Sequence, residues 1–168
     1  SSKFSDAAGN NNLDGSDANN SVTFTVDTTA ADTTPPTIAI SDDDADNSLG
    51  AGDTSTLTFT LSEASSDFVE SDVTISGGSL SNWTAVSSTV YTATFTPTDN
   101  STSDGVISVA SSKFSDAAGN NNLDGSDANN SVTFSVESIR PTIAVRSDVS
   151  SLRAGETASL TFTLSEAS

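Results

Sequence analysis

The sequence predicts an all-β fold, a seven-stranded antiparallel β-sandwich set in a tandem array. Three observations predict it. Short runs in which Ile, Leu, Val and Phe alternate with Thr and Ser recur along the chain, separated by Gly, Asp, Asn and Pro. That period of two marks half-buried strands, and no stretch carries the three-to-four-residue period of a helix. Residues 111–134, SSKFSDAAGNNNLDGSDANNSVTF, also repeat residues 1–24 letter for letter at an offset of 110. Self-similarity at about 100 residues is the signature of stacked sandwich-sized modules.

The repeat sets the domain frame. Pro36-Thr37-Ile38-Ala39 returns as Pro141-Thr142-Ile143-Ala144 at an offset of 105, and LTFTLSEAS at 57–65 returns at 160–168 at an offset of 103. The shrinking offset places a five-residue deletion between Val136 and Pro141 and a two-residue deletion between Ile143 and Gly155. Residues 30–137 then form one complete repeat. Residues 1–29 are the C-terminal strands of a preceding one, and 138–168 the N-terminal strands of a following one. The chain lacks an initiator Met and breaks off inside a strand-like run, so it reads as a slice of a longer array, in which no signal peptide or membrane span need fall.

The elements follow in order. A strand ends near Phe4, and after a polar loop residues 21–27 form a strand with Val22, Phe24 and Val26 on one face. Residues 28–36 are a linker closed by Pro35-Pro36, which cannot donate to a ladder. Strands are expected at 37–41 (Ile38 and Ile40 inward), 54–62 (Leu57, Phe59, Leu61), 72–76 (Val73, Ile75) and 80–86 (Trp83). Three more follow at 90–96 (Tyr91, Ala93, Phe95), 106–114 (Ile107, Val109) and 131–137 (Val132, Phe134, Val136). Gly77-Gly78 reads as a tight turn, Asp104-Gly105 turns the chain into the strand that follows, and 42–52 reads as an acidic turn region. The alternating residues should share one core, since a one-residue slip would turn each set outward. Neither terminal piece has enough strands to close a core by itself. Val22, Phe24, Leu160 and Phe162 are therefore expected to face other copies.

Charge excludes whole classes of partner. The chain has 5 Lys+Arg, 23 Asp+Glu and no His, a formal charge of −18. Residues 35–137 hold fifteen acids and a single base, Lys113. Such a surface repels nucleic acid and anionic lipid, which need basic residues to neutralise phosphate, so neither nucleic-acid binding nor membrane insertion is expected. With no Cys, disulfides cannot staple the module, and a divalent cation is the natural agent to offset carboxylate repulsion. The chain has no His, no Cys and no Ser with a plausible base, so it carries no catalytic constellation and is not expected to be an enzyme.

The stretches TLTFTLSEAS, SDFVESDVTISGGSLSNWTAV, YTATFTPT and FSDAAGN together resemble the bacterial Ig-like repeats of large secreted adhesins, including biofilm-associated and RTX-type proteins. The resemblance spans the complete unit and both flanks. It implies an Ig-like sandwich in an extracellular stalk or fibre at the bacterial surface, serving cell adhesion or biofilm formation and often stiffened by Ca²⁺ near module junctions. One departure is the second linker, Glu137-Ser138-Ile139-Arg140-Pro141, which lacks the acids found between Asp27 and Asp32.

Candidate Ca²⁺ ligands fall in two groups. The loop bearing Asp116, Asn120, Asp124 and Asp127 is dense in oxygen donors, as is its copy with Asp6, Asp14 and Asp17. Asn120-x-Asn122-x-Asp124-Gly125 matches half an EF-hand loop but lacks the bidentate Glu. The plainer reading is a set of ordinary turn formers. At the first junction Asp27, Asp32 and Asp42 supply a second group, whose plainer reading is a solvated acidic turn. Glu63 and Asp72 close to one end of the sandwich either join a site or bond backbone amides. Trp83 reads as a core plug between the sheets, or as a stacking platform for a glycan. An isopeptide bond from Lys113 finds no paired acid. Two functions remain: a calcium-stiffened spacer among neighbouring repeats of the same or identical chains, or a module binding a host or surface glycan through its loops or Trp83.

Overall fold

The computed structural model describes residues 4–12, 21–124 and 127–167. It divides into two compact units, Ser1–Ala31 and Asp32–Ser168. In the second unit ten strands run β1 (Ile38–Asp42), β2 (Ser48–Gly50), β3 (Ser55–Leu61), β4 (Val73–Ser76), β5 (Gly78–Ala85), β6 (Val90–Pro97), β7 (Gly105–Val109), β8 (Ser131–Glu137), β9 (Ile143–Ser147) and β10 (Leu160–Leu164). There is no α-helix among the described residues, only the single 3-10 turns Glu70–Asp72 and Ala128–Asn130.

The first eight strands build two four-stranded sheets, in the orders β1-β3-β6-β5 and β2-β8-β7-β4. This is the expected Ig-like sandwich. Alternation decides which side chains go inside, because successive residues of a strand point to opposite faces. Leu57, Phe59 and Leu61 of β3 are buried while Thr56 and Thr60 are exposed, and Val132, Phe134 and Val136 do the same on β8. The expected core residues are buried, except Ile75 and Trp83, which are half-buried and pack against the cluster. Trp83 lies against Phe59, Phe68 and Tyr91 at ring separations of 5.3, 5.4 and 5.9 Å, a plug rather than an open platform.

Four details differ from the sequence expectation. β2 is an additional strand inside the acidic turn region. It buries Leu49 and pairs parallel to β8, a partner too distant in sequence to betray a three-residue run. Gly77-Gly78 does not close a hairpin, since β4 and β5 belong to different sheets, whereas Asp104-Gly105 leads the chain into β7 as expected. Gly77 has φ +71°, and a Cβ there would lie 2.1 Å from the Asp104 carbonyl oxygen, so the crossover needs glycine. β7 stops at Val109 rather than 114, and the chain turns so that Phe114 enters the core from a loop.

The fourth difference is residues 21–27, which form no strand. The counterpart 131–137, which differs only in Ser135 for Thr25 and Glu137 for Asp27, is a strand at β8 because β7 and β2 flank it there; in the unit Ser1–Ala31 no ladder partner is present among the described residues. Val22, Phe24 and Val26 are exposed, and so are the apolar residues of β9 and β10. Those two strands pair only with each other, and their register copies β1–β3 pair for pair. Ile143↔Leu164, Val145↔Phe162 and Ser147↔Leu160 reproduce Ile38↔Leu61, Ile40↔Phe59 and Asp42↔Leu57.

Candidate metal centre

One end of the sandwich is built by three converging segments. β1 and β3 are antiparallel with Ile38 opposite Leu61, so the residues before β1 and after β3 emerge together. A reciprocal pair fixes them: the Thr37 N–H donates to Ser62 Oγ (2.8 Å) and the Ser62 N–H to the Thr37 carbonyl (2.9 Å). The loop after β7 is tied to the segment after β3 by a bridge between Ser65 and Asp116, and by Ser115, whose N–H and hydroxyl both donate to the Asp67 carboxylate. The loop also reaches the linker, since Asn120 Nδ2 donates to the Asp32 carbonyl at 3.3 Å.

Asp32, Glu63 and Asp116 thereby meet, with one carboxylate oxygen from each lying within 4.8 Å of the others. They line an open depression of about 550 Å³ with Ala64, Ala117 and Ala118. Asp116 is buried and held by its own loop. Its Oδ1 accepts the Ala118 and Asn120 N–H groups (2.8 and 2.9 Å), and its Oδ2 accepts Asn120 Nδ2 (2.8 Å). Gly119, with φ +88°, lets the loop close around that carboxylate. The Asn120 side-chain amide, opposed in part by burial, and then the backbone N–H groups keep the Asp116 carboxyl below its ordinary range. Glu63 is pushed the other way, first by burial and then by the charges of Asp32 and Asp116.

This is the electrostatic situation a cation relieves. The donor set consists of oxygen atoms alone, which suits Ca²⁺, Mg²⁺ or Mn²⁺ rather than zinc or copper. Three carboxylates supply enough charge for a divalent ion, and the open side leaves room for water. The residues present therefore fit a hard divalent cation.

The structure recombines the two expected ligand groups. Asp116 comes from the loop, Asp32 from the junction, and Glu63 joins them. Asn120 serves as a clasp between loop and linker. Asp124 is turned into the protein, only 1% exposed, where its Oδ1 accepts the Ile38 N–H (2.7 Å) and its Oδ2 accepts Asn122 Nδ2 (2.6 Å). Asp127 is exposed, and its N–H donates to the Asp124 carbonyl ahead of the Ala128–Asn130 turn. Asp42 lies at the far end of β1 from Ile38, accepting the Asp44 N–H and, at 3.4 Å, Asn47 Nδ2. Asp27 accepts the N–H and hydroxyl of Thr29. Asp72 caps a turn by accepting the Val69 N–H, the plainer of its two expected roles. Asp6 closes its loop as Asp116 does, with Ala8 and Asn10 donating at 2.9 Å each and Asn10 Nδ2 at 2.8 Å. Asp14 and Asp17 lie outside the described residues.

A two-sheet sandwich of this topology, with its carboxylates gathered on loops, defines an immunoglobulin-like module. The chain belongs to the bacterial Ig-like domain family, whose model matches residues 32–136. Neither the curated proteins nor the solved structures compared with it gave a match. No helix among the described residues is long and apolar enough to cross a membrane.

Proposed function

We propose that the chain is a structural spacer from a tandem array of bacterial Ig-like repeats in an extracellular adhesin or surface fibre. Its repeats are stiffened by Ca²⁺ at the Asp32–Glu63–Asp116 centre. One observation carries the reading: the C-terminal flank repeats hydrogen bonds of the central module at the equivalent residues. Thr142 and Ser165 repeat the reciprocal pair of Thr37 and Ser62, at 2.9 Å in both directions. Arg153 and Glu156 repeat the turn of Gly50 and Asp53, and Asp148 accepts the Ser159 N–H as Asp43 accepts that of Thr56. Modules duplicated so closely lengthen an array without needing a separate binding site in each. The exposed apolar residues of the flanks belong, on this reading, against neighbouring repeats of the same or identical chains. The packing of Trp83 among Phe59, Phe68 and Tyr91 gives no support to the glycan-binding alternative.

Thermal unfolding of the chain in calcium and in chelator tests the proposal, alongside Glu63→Gln. A cation bound only by the folded state adds about 2.7 kcal/mol at a hundredfold excess over its dissociation constant. Calcium should raise the melting temperature of the parent and not of the variant. An unchanged melting temperature in the parent would remove calcium from the reading. Saturable capture of the chain on a glycan array would replace the spacer with a binder.

A further inference from the structure

The chain carries four Asn-x-Ser/Thr triplets, beginning at Asn19, Asn82, Asn100 and Asn129. Such a triplet is the acceptor of N-linked glycan when it lies at the surface of an exported chain. Asn82, Asn100 and Asn129 are all exposed, and Asn19 lies outside the described residues. The fold itself accounts for two of the three. Asn82 and Asn100 have φ +55° and +52°, a left-handed conformation that asparagine adopts more readily than most residues with a side chain. Asn82 Nδ2 also donates to Thr94 Oγ1 at 3.3 Å.

Asn129 has neither reason to be an asparagine. It sits in the 3-10 turn Ala128–Asn130, outside the left-handed region, and its side chain makes no hydrogen bond among the described residues. Its neighbour Asn130 is employed, with Nδ2 donating to the Val109 carbonyl at 3.0 Å and so tying the turn to the end of β7. Ser131 then opens β8 opposite Ser108. Two residues before Asn129 stands Asp127, also exposed. Its N–H donates to the Asp124 carbonyl, but its carboxylate accepts nothing among the described residues. Asp127-Ala128-Asn129-Asn130-Ser131 therefore presents an idle carboxylate, an idle amide and a hydroxyl at alternate positions. The block recurs as Asp17-Ala18-Asn19-Asn20-Ser21, whereas Leu80 and Thr98 stand at the acid's place before Asn82 and Asn100.

We propose that Asn129, and Asn19 in the repeated block, is a site of N-glycosylation from a lipid-linked oligosaccharide, selected by the acid two residues ahead. A cationic side chain of the transferase grips the Asp127 carboxylate, and a hydrogen bond to the Ser131 hydroxyl sets the register. Asn129 Nδ2 attacks the anomeric carbon of the glycan, and the bond from that carbon to the phosphate oxygen breaks. Pyrophosphate leaves on its lipid, and a base of the transferase takes one proton from Nδ2, so nothing is oxidised or reduced. The glycan then stands at the end of the sandwich where Asp124 holds the start of β1, and its attachment draws no side chain out of the core. The inference rests on the spacer reading only for export of the chain across a membrane.

The test is export of the whole chain to the periplasm of a bacterium carrying an oligosaccharyltransferase and its lipid-pyrophosphate-linked oligosaccharide, followed by peptide mapping in a mass spectrometer. Glycan mass should appear on Asn129 and Asn19, while Asn82 and Asn100 stay bare. Position 129 should lose it in Asn129→Gln and in Asp127→Ala, and keep it in Asp127→Glu. Asn129→Gln should melt with the parent, because the side chain it replaces bonds nothing, so its bare state cannot be put down to misfolding. A bare Asn129 in the exported, folded parent would overturn the proposal. So would glycan retained in Asp127→Ala, the mark of a transferase blind to the acid, such as one drawing on a nucleotide sugar. A melting temperature lowered by Asn129→Gln would overturn it too, by giving the asparagine a structural role. None of these results touches the calcium and glycan-array tests, so this site and the spacer reading stand or fall separately.

Discussion

Replacing Asp124 by Ala separates a structural carboxylate from a metal ligand. The side chain is buried at the base of the loop and accepts two short hydrogen bonds, from the Ile38 N–H at 2.7 Å and from Asn122 Nδ2 at 2.6 Å. Asn122 is equally buried, and its Oδ1 accepts the Lys113 and Phe114 N–H groups, so the Asp124 carboxylate anchors a network that links β1 to the loop. Each hydrogen bond to a charged group contributes about 1.5–3 kcal/mol. Relief of the buried charge offsets part of their loss, leaving a net cost of about 2–4 kcal/mol. For a module of about 100 residues that is a fall of roughly 10–20 °C in melting temperature. Asp124→Asn should fare little better, because one of its two positions would then set an amide donor against another donor. Calorimetry in chelator and in calcium is the assay. The loss should be the same in both. If it appears only in calcium, Asp124 is a ligand and its assignment as a pin on β1 is wrong.

Other outcomes follow from the same geometry. Phe59→Ala removes a fully buried ring packed on Phe68 and Trp83 and should cost about 3–5 kcal/mol, read from denaturant unfolding. Gly105→Ala would set a Cβ 2.5 Å from the edge of Phe95, a ring already stacked on Phe134, and should destabilise by about 1–3 kcal/mol. Glu63 has a raised folded-state pKa, so the folded form holds the proton more tightly and, without metal, stability falls as pH climbs from the ordinary carboxylate value through the raised one. Asp116 acts in the opposite sense and lower down, its contribution being lost as pH drops through its depressed value. Glu63→Gln should therefore stabilise the chain at neutral pH in chelator and flatten the upper part of the pH profile; a lower melting temperature in chelator would contradict the repulsion assigned to Glu63.

The sequence made the regular strands legible and hid whatever depended on the third dimension. Leu57, Phe59 and Leu61 announce themselves because a half-buried strand must alternate. Phe68 and Phe114 carry no such period, yet Phe68 sits at the centre of the aromatic cluster and Phe114 packs on it, because they arrive from a turn and a loop whose paths tertiary packing decides. The candidate centre was half visible. Asp32 and Asp116 stand out as acids in a linker and a loop, but Glu63 reaches them only through the β1–β3 register and the bridge at Ser65. A signal for it did exist: SEAS recurs directly after both copies of the LTFTL strand, at the end where the linker must emerge. Asp124 could not be told from its loop neighbours by spacing, since only the fold turns it inward.

The pairwise match between β1–β3 and β9–β10 also poses a sorting problem during folding. β6 needs a neighbour with the sequence of β3, and the chain offers two, because residues 57–65 and 160–168 are identical. The wrong one lies about twice as far along the chain from β6, and doubling a loop costs only about 0.6 kcal/mol, roughly a threefold preference. Nearness alone therefore leaves a sizeable minority of first encounters with the wrong strand. The partners that travel with each copy must do the rest. Asp43 and Asp53 beside β3 are matched by Asp148 and Glu156 beside β10, so they do not tell the two apart. What differs is Arg146 and Arg153 beside β10, which stand where the chain beside β3 has Ser41 and Gly50, so the wrong strand arrives labelled by two positive charges.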